Sequence, residues 1–286
     1  MEEKIQKIKN ILSDQFECEL YDASIFCLND KENKLRFNNF AYSMRELSRH
    51  FLHRLAPDGN VKGCSWFKQE GDKGQITRLQ RIKYAIQGGI NDELLISIGI
   101  ESDRFEQSSI IIKRSIDSLS RYTHINPDVF NLKDIEVDVK SKEVILAFEA
   151  FVQAMEDCRT EVMKLVEDKI EDEAINAVVR ASFENIDSLA HHYSLDNVYI
   201  DNYEVDEINE SEIIVAVKGE INVTLSWGSN SDRRAGNGHD LEDTFPFFTK
   251  VRYYIDEDFP SDDPDVDEPG VDTSKWDINP DDEYLT

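Results

Sequence analysis

The sequence predicts an α+β protein, with a mainly helical N-terminal domain, a helical connector, a small antiparallel β unit and an acidic C-terminal tail. Three observations predict it. Apolar residues recur at helical spacing up to about residue 190. From Val198 the apolar period changes to two, the spacing of a half-buried strand. Acids and prolines then crowd the stretch from Asp256 to Thr286. The 286 residues suffice for two domains, at roughly 100–200 residues each. A hydrophobic fraction of 40% supports a true core and excludes global disorder.

The elements follow in order. Residues 2–15 read as a helix, with Ile5, Ile8, Ile11 and Leu12 on one stripe. The apolar runs Cys18–Leu20 and Ala23–Leu28 read as strands or loop. Residues 36–55 are the clearest helix, ended by Ala56-Pro57-Asp58-Gly59. Thr77 caps a second helix running to about Gln87, stopped by Gly88-Gly89. A third helix spans 106–121. A long helix over 141–166 and another over 171–191 form the connector. Four short strands follow, at 198–200, 213–217, 221–227 and 249–255. The expected organisation is thus 1–130 helical, 131–192 connector, 193–256 β unit and 257–286 a flexible acidic tail. Such a tail buries too little apolar area to offset its ordering entropy, and its Trp276 and Tyr284 are candidate anchors for a partner.

With 32 Lys+Arg against 59 Asp+Glu, the net charge is −27, which argues against wrapping a nucleic acid over the whole surface. Charge is segregated, however. Residues 31–125 hold 16 basic and 11 acidic side chains, net +5, inside an otherwise strongly acidic chain. Any nucleic-acid contact is expected there. No apolar run reaches the roughly 18 residues of a membrane span, and Met1-Glu2-Glu3-Lys4 does not begin a signal peptide. A cytoplasmic protein with reduced thiols is expected. Cys18, Cys27, Cys64 and Cys158 form no C-x2-C pair, so neither a zinc site nor any other cofactor is expected.

The informative helix is 36–55. At about 100° per residue, Phe37, Phe40, Ala41, Met44, Leu47, Phe51, Leu52 and Leu55 share an arc that faces the core. Tyr42, Arg45, Glu46, Arg49, His50 and His53 share the opposite arc. A solvated polar face would show charges there too. Two of the chain's six histidines fall within four positions of each other, however, and the face is cation-rich in a very acidic protein. Metal-free RNA cleavage could use this chemistry. A His can take the 2′-OH proton or protonate the leaving oxygen, and an Arg can grip the phosphate bidentately. Arg45 and His50 are the first candidates, with Arg49, His53 and Glu46 assisting.

Arg45-Glu46-x-x-x-His50 resembles the R-x4–6-H motif of HEPN ribonucleases, although Asn or His more often follows the Arg. The wider string Arg45-Glu46-Leu47-Ser48-Arg49-His50-Phe51-Leu52-His53-Arg54-Leu55-Ala56-Pro57-Asp58 is followed by Cys64-Ser65-Trp66-Phe67-Lys68, by Thr77 through Gly89, and by Leu119-Ser120-Arg121-Tyr122-Thr123-His124-Ile125. Together, over roughly residues 36–130, these resemble the predicted nucleases that associate with prokaryotic PIWI-like proteins, a family of bacterial defence loci. The resemblance implies a nuclease, and the HEPN likeness implies a homodimer with motif helices facing each other. Trp227 through Gly238, with Asp243-Thr244-Phe245-Pro246-Phe247, is similar to a small β module at the ends of several predicted prokaryotic nucleases.

Further candidates surround the motif helix. Arg78, Arg81, Lys83 and Gln87 on the second helix suit substrate phosphates, as do Arg121 and His124 at the end of the third. A plain surface face or a favourable helix-dipole contact accounts equally for these groups. The glycine-bearing loop Gly228–Gly238 reads as an ordinary hairpin loop or a backbone anion nest. Asp232 and Asp240 are a remote Mg²⁺ alternative, His191-His192 reads as a helix cap or surface, and His239 has no assigned role. The expected function is an endoribonuclease effector of bacterial anti-phage defence that binds RNA, pairs with a second copy and with a protein from its own locus, and does not enter a membrane. The rivals are a non-enzymatic binding subunit using the β unit and tail, and a metal-dependent DNA nuclease.

Overall fold

A computed structural model of the chain describes residues 2–70 and 75–276. The fold is α+β, with helices through the N-terminal part and an antiparallel sheet at the C-terminal end. The chain divides into two compact units. One comprises the residues up to Glu161 with Asn209–Ser211, and the other the rest from Val162 onward. The division falls inside a helix, where the sequence suggests a connector of its own.

The first unit opens with α1 (Glu2–Asn10) and α2 (Gln15–Asn29). The expectation of strands or loop at 18–28 is corrected here: those residues are helical. Asp14 caps α2 by accepting from the Glu17 N–H at 3.0 Å, and Glu17, Tyr21 and Ser24 form its buried stripe. Burial holds the Tyr21 phenol above its usual range, with Asp22 adding to the effect. α3 spans Arg36–Leu55, the predicted bounds. Its core stripe, Phe37, Phe40, Ala41, Met44, Leu47, Phe51 and Leu52, is buried as expected. α4 (Asp58–Gly63) follows, then α5 (Arg78–Gln87), which begins at the predicted Thr77 with a reciprocal Thr77–Gln80 capping box. α6 (Asp92–Ser97) and α7 (Ser102–Leu119) follow, and a 3-10 turn at Ser120–Tyr122 ends this run.

α8 is a single helix from Asp134 to Arg180, 47 residues long. It replaces the two helices expected at 141–166 and 171–191. The intervening Glu167-Asp168-Lys169-Ile170 contains no breaker. Val162, Val166, Ile170, Ala174 and Val178 carry one fully buried stripe straight through it at steps of four. Beyond Arg180 the remainder of the second predicted helix is a short α9, Glu184–Asp187.

The sheet has three long strands, β1 (His192–Ile208), β2 (Glu212–Trp227) and β3 (His239–Tyr254), in the order of the chain. Two short segments, β4 (Asp265–Val266) and β5 (Gly270–Val271), pair with β3. The runs expected as separate strands at 213–217 and 221–227 are one strand. Gly219, between those runs, lies within the strand, where a Cβ would sit 2.1 Å from the Tyr199 carbonyl oxygen and 2.6 Å from the Phe247 ring. Inward-facing Ile213, Val215, Val217, Ile221, Val223 and Leu225 are fully buried. Phe183 and Ile186 from the α9 region join Ile221, Val223, Leu225, Phe245 and Phe247 in one core cluster.

β1 pairs with β2 with three breaks in register, which leave out Asp196, Asp201 and Asp206. Each break is a bulge, one extra residue against the partner strand.

The expected flexible tail is corrected as far as Trp276. Val271 and Phe259 are buried, and Arg252 holds Asp267 at 2.8 and 2.9 Å. Trp276 stacks on Trp227 at 6.3 Å and donates to Asp243 at 2.6 Å. The few apolar residues of this acidic stretch are spaced to fall on the sheet, which composition alone does not reveal. Tyr284 lies outside the described residues.

Candidate functional site

α3 presents its polar arc away from the core stripe. Arg49, His50 and His53 are exposed, and Arg45 and Glu46 are half-buried. Glu46 accepts from Arg49 Nε at 3.1 Å, one turn along the helix. Arg49 Nη2 stands 3.1 Å from His50 Nε2. A guanidinium has no lone pair to offer, so in this contact His50 Nε2 is the acceptor and carries no proton. The other side of the His50 ring meets Phe16 edge-on, with centroids 5.0 Å apart. The Arg45 guanidinium has no hydrogen-bond or ion-pair partner among the described residues. Partial burial lowers the His53 imidazole below its ordinary value. Repulsion from Arg81, Arg49 and His50 lowers it further, and attraction to Asp58 opposes the shift. The face therefore offers a free cation, an imidazole whose Nε2 is held by Arg49 and a second imidazole biased toward its neutral form.

The substrate-binding candidates on α5 are differently placed. Arg81 is buried, donating to the Ala56 carbonyl and to Asp58, each at 2.5 Å. It closes the end of α3 and holds the Asp58 carboxyl below the usual range. Gln87 is buried and donates to the Ile90 carbonyl at 2.6 Å. Lys83 pairs with Asp92 at 2.6 Å and lies over the Trp66 ring. Arg78 pairs with Asp117. Arg121 and His124 remain exposed at the end of α7, and no described contact joins His124 to the α3 face.

Between β2 and β3, the Gly228–Gly238 loop is a capped turn of helix, α10 (Asn230–Arg234), with a Ser229–Asp232 box. Asp240 is engaged by Arg233 at 3.0 Å and Ser226 at 2.7 Å. The carboxylates of Asp232 and Asp240 thus have separate partners. Among the described residues, no three His, Cys, Asp or Glu side chains gather as a metal cage.

Sequence reading missed Phe16 and the clamp beside it. Glu17, 2% exposed, accepts from Arg54 Nε and Nη2 at 3.1 and 2.8 Å. This fixes the start of α2 against α3 and so sets Phe16 beside His50. The signal was present: Asp14-x-x-Glu17 is a helix-start pattern.

A cation- and imidazole-bearing helix face on a helical unit, followed by an antiparallel sheet, fits a predicted nuclease. Two family models match the chain, both described as "Predicted pPIWI-associating nuclease", one over residues 9–148 and the other over 155–277. The chain belongs to that family. The seam between the two matches, like the division between the units, falls within α8. No curated protein and no solved structure matches the chain. Among the described residues, no helix is long and apolar enough to cross a membrane.

Proposed function

We propose that the chain is a metal-independent endoribonuclease effector of a bacterial defence system, working through the polar face of α3. The observation that carries this reading is the unpaired Arg45 guanidinium on the face that also carries exposed His50, its Nε2 3.1 Å from Arg49 Nη2. In the proposed reaction an imidazole takes the ribose 2′-OH proton, and O2′ bonds to the adjacent phosphorus. The P–O5′ bond breaks, and the leaving oxygen takes a proton from a second acid. The products are a 2′,3′-cyclic phosphate and a 5′-OH. Arg45 meets the phosphate, whose equatorial charge grows as O2′ attacks. His50 is the principal acid–base group. His53 assists as a neutral imidazole, and Arg49 holds His50 and turns to the phosphate when substrate displaces it. A homodimer with facing α3 helices and a protein partner from the same locus belong to this proposal.

The test is incubation of the purified full chain with labelled single-stranded RNA in EDTA. Cyclic-phosphate ends from the wild type, with a loss of about 10²–10⁴-fold in His50→Ala, support the mechanism. An unchanged rate in Arg45→Ala/His50→Ala refutes it.

A further inference from the structure

The first unit holds a groove that the proposed chemistry does not use. It measures about 710 Å³ and is lined by residues of α7, the 3-10 turn after it and α8, with Phe37 of α3. Pockets for small organic ligands span about 300–1,000 Å³. Its apolar walls include Ile111, Leu119, Tyr122, Val144 and Leu146, and Ile111 and Leu146 are exposed to solvent. Arg114, Arg121 and Lys140 also line it. Arg114 lies on α7 and Arg121 in the 3-10 turn that follows it. Both are exposed, and neither has an ion-pair partner among the described residues. In a chain with 59 acids and 32 basic groups, two neighbouring guanidiniums left without carboxylates are unexpected. Lys140 Nζ lies 5.5 Å over the Tyr122 ring. Of the two acids in the lining, Asp117 is engaged by Arg78 and Lys113. Glu143 stays uncompensated among the described residues, so the groove keeps a cationic balance. Ser115 lines it too, and its hydroxyl oxygen is buried without a hydrogen-bond partner. A buried polar atom with no partner costs free energy that a ligand's polar group can recover.

We infer that this groove binds a nucleotide of a single-stranded RNA, the base in the apolar trough and its phosphates on Arg114 and Arg121. An apolar slot with an aromatic wall accepts any base, and unpaired guanidiniums beside it match the backbone that follows. The inference rests on the RNA reading above and adds a substrate-holding site separate from the α3 face. The commitment to a strand rather than a free nucleotide rests on the number of cations in the lining, Arg114, Arg121 and Lys140, more than one phosphate needs.

The test measures binding, not cleavage. A fluorescein-labelled 2′-O-methyl RNA decamer, which lacks the attacking hydroxyl, is titrated with the full chain and followed by anisotropy. Arg114→Ala/Arg121→Ala is expected to weaken binding at least tenfold and to reduce the salt slope by about 1.4, two single-strand phosphate contacts at about 0.7 each. Leu146→Asp is expected to weaken it comparably. The control Lys31→Ala/Lys62→Ala removes the same charge outside the groove and leaves the affinity within about twofold. Equal losses in the control and the arginine pair overturn the site, as does a groove variant that dissociates a dimer without changing RNA affinity. AMP competing only weakly supports the strand, whereas AMP bound as tightly as the decamer overturns it. If the groove variants weaken binding while His50→Ala leaves cleavage unchanged, the groove stands and the catalytic reading falls. The reverse result removes the groove alone.

Discussion

Arg54→Ala is the sharpest probe of what holds the candidate face in shape. The substitution leaves the Glu17 carboxylate with neither water nor cation. Glu17 is 2% exposed, and its two oxygens take donors from Arg54 at 2.8–3.2 Å. Removing one partner of a buried pair costs about 3–5 kcal/mol. A third of the Arg54 side chain remains in solvent, so the low end, about 3 kcal/mol, is expected. Loss of the Arg54 stack over Phe51, 5.3 Å from the ring centre, acts in the same direction. At roughly 2–4 °C per kcal/mol for a unit of this size, Tm falls by about 6–12 °C. Thermal and urea unfolding by circular dichroism at pH 7 would measure this. The double variant Glu17→Met/Arg54→Met keeps volume and removes both charges. It should lie within about 1 kcal/mol of wild type, clearly above Arg54→Ala. A loss below about 1 kcal/mol in Arg54→Ala, or a double variant no better than the single, would refute the buried-pair argument. Because the clamp positions Phe16, the His50 ring signals should shift in Arg54→Ala and recover in the double variant.

Three other outcomes are expected. Gly89→Ala should destabilise by about 1–3 kcal/mol or more, since its Cβ would fall 2.1 Å from the Glu210 carbonyl oxygen; a Tm equal to wild type would contradict this packing. In an NMR titration His53 should show a midpoint below 6.5, and Asp58→Asn should lower it further by removing the attractive charge that opposes the shift. An unmoved midpoint would dissociate the two groups. Deleting 257–286 should cost the sheet about 3–6 kcal/mol through Phe259 and Val271 alone; unaltered unfolding would mean that these contacts do not stabilise it.

Acid should remove a further share of stability. Arg252 holds Asp267 below the ordinary carboxylate value. Burial pushes Asp243 up, but donors from Lys275, Trp276 and the Thr244 N–H outweigh it and leave it lowered. With folded values below the unfolded 3.8, these groups stabilise fully above the unfolded value. That contribution is lost as pH falls through the folded ones.

What could be read in advance depended on how local the information was. α3 was legible to its ends because one stripe at helical spacing and one Pro57 define it, and its polar arc was legible because it lies on a single element. α5 was legible from Thr77 at its start and Gly88-Gly89 at its end. α2 was obscured by Ile25-Phe26-Cys27-Leu28, a run that resembles a strand although Phe26 points outward. The continuity of α8 was hidden by its acid-rich 167–170, which interrupts the apolar count but not the buried stripe. The groove was illegible for a different reason. Phe37, Arg114 and Leu146 come from three helices, and no spacing along the chain announces their meeting.

The three bulges of β1 impose a rhythm of five. Leu195-Asp196-Asn197, Ile200-Asp201-Asn202 and Val205-Asp206-Glu207 repeat one phrase, an apolar residue, the looped-out Asp and a polar residue. A strand written this way has near-degenerate alignments displaced by five, in each of which an Asp again falls at a bulge. Something aperiodic must choose among them. The short connection does so: only Asn209-Glu210-Ser211 separates β1 from β2, and a turn of fixed length sets Ile208 opposite Ile213 and so the alignment of the seventeen-residue strand. Two of the looped-out carboxylates turn back over the sheet, Asp196 accepting from Thr224 on β2 and Asp206 from Lys250 on β3, each at 2.7 Å.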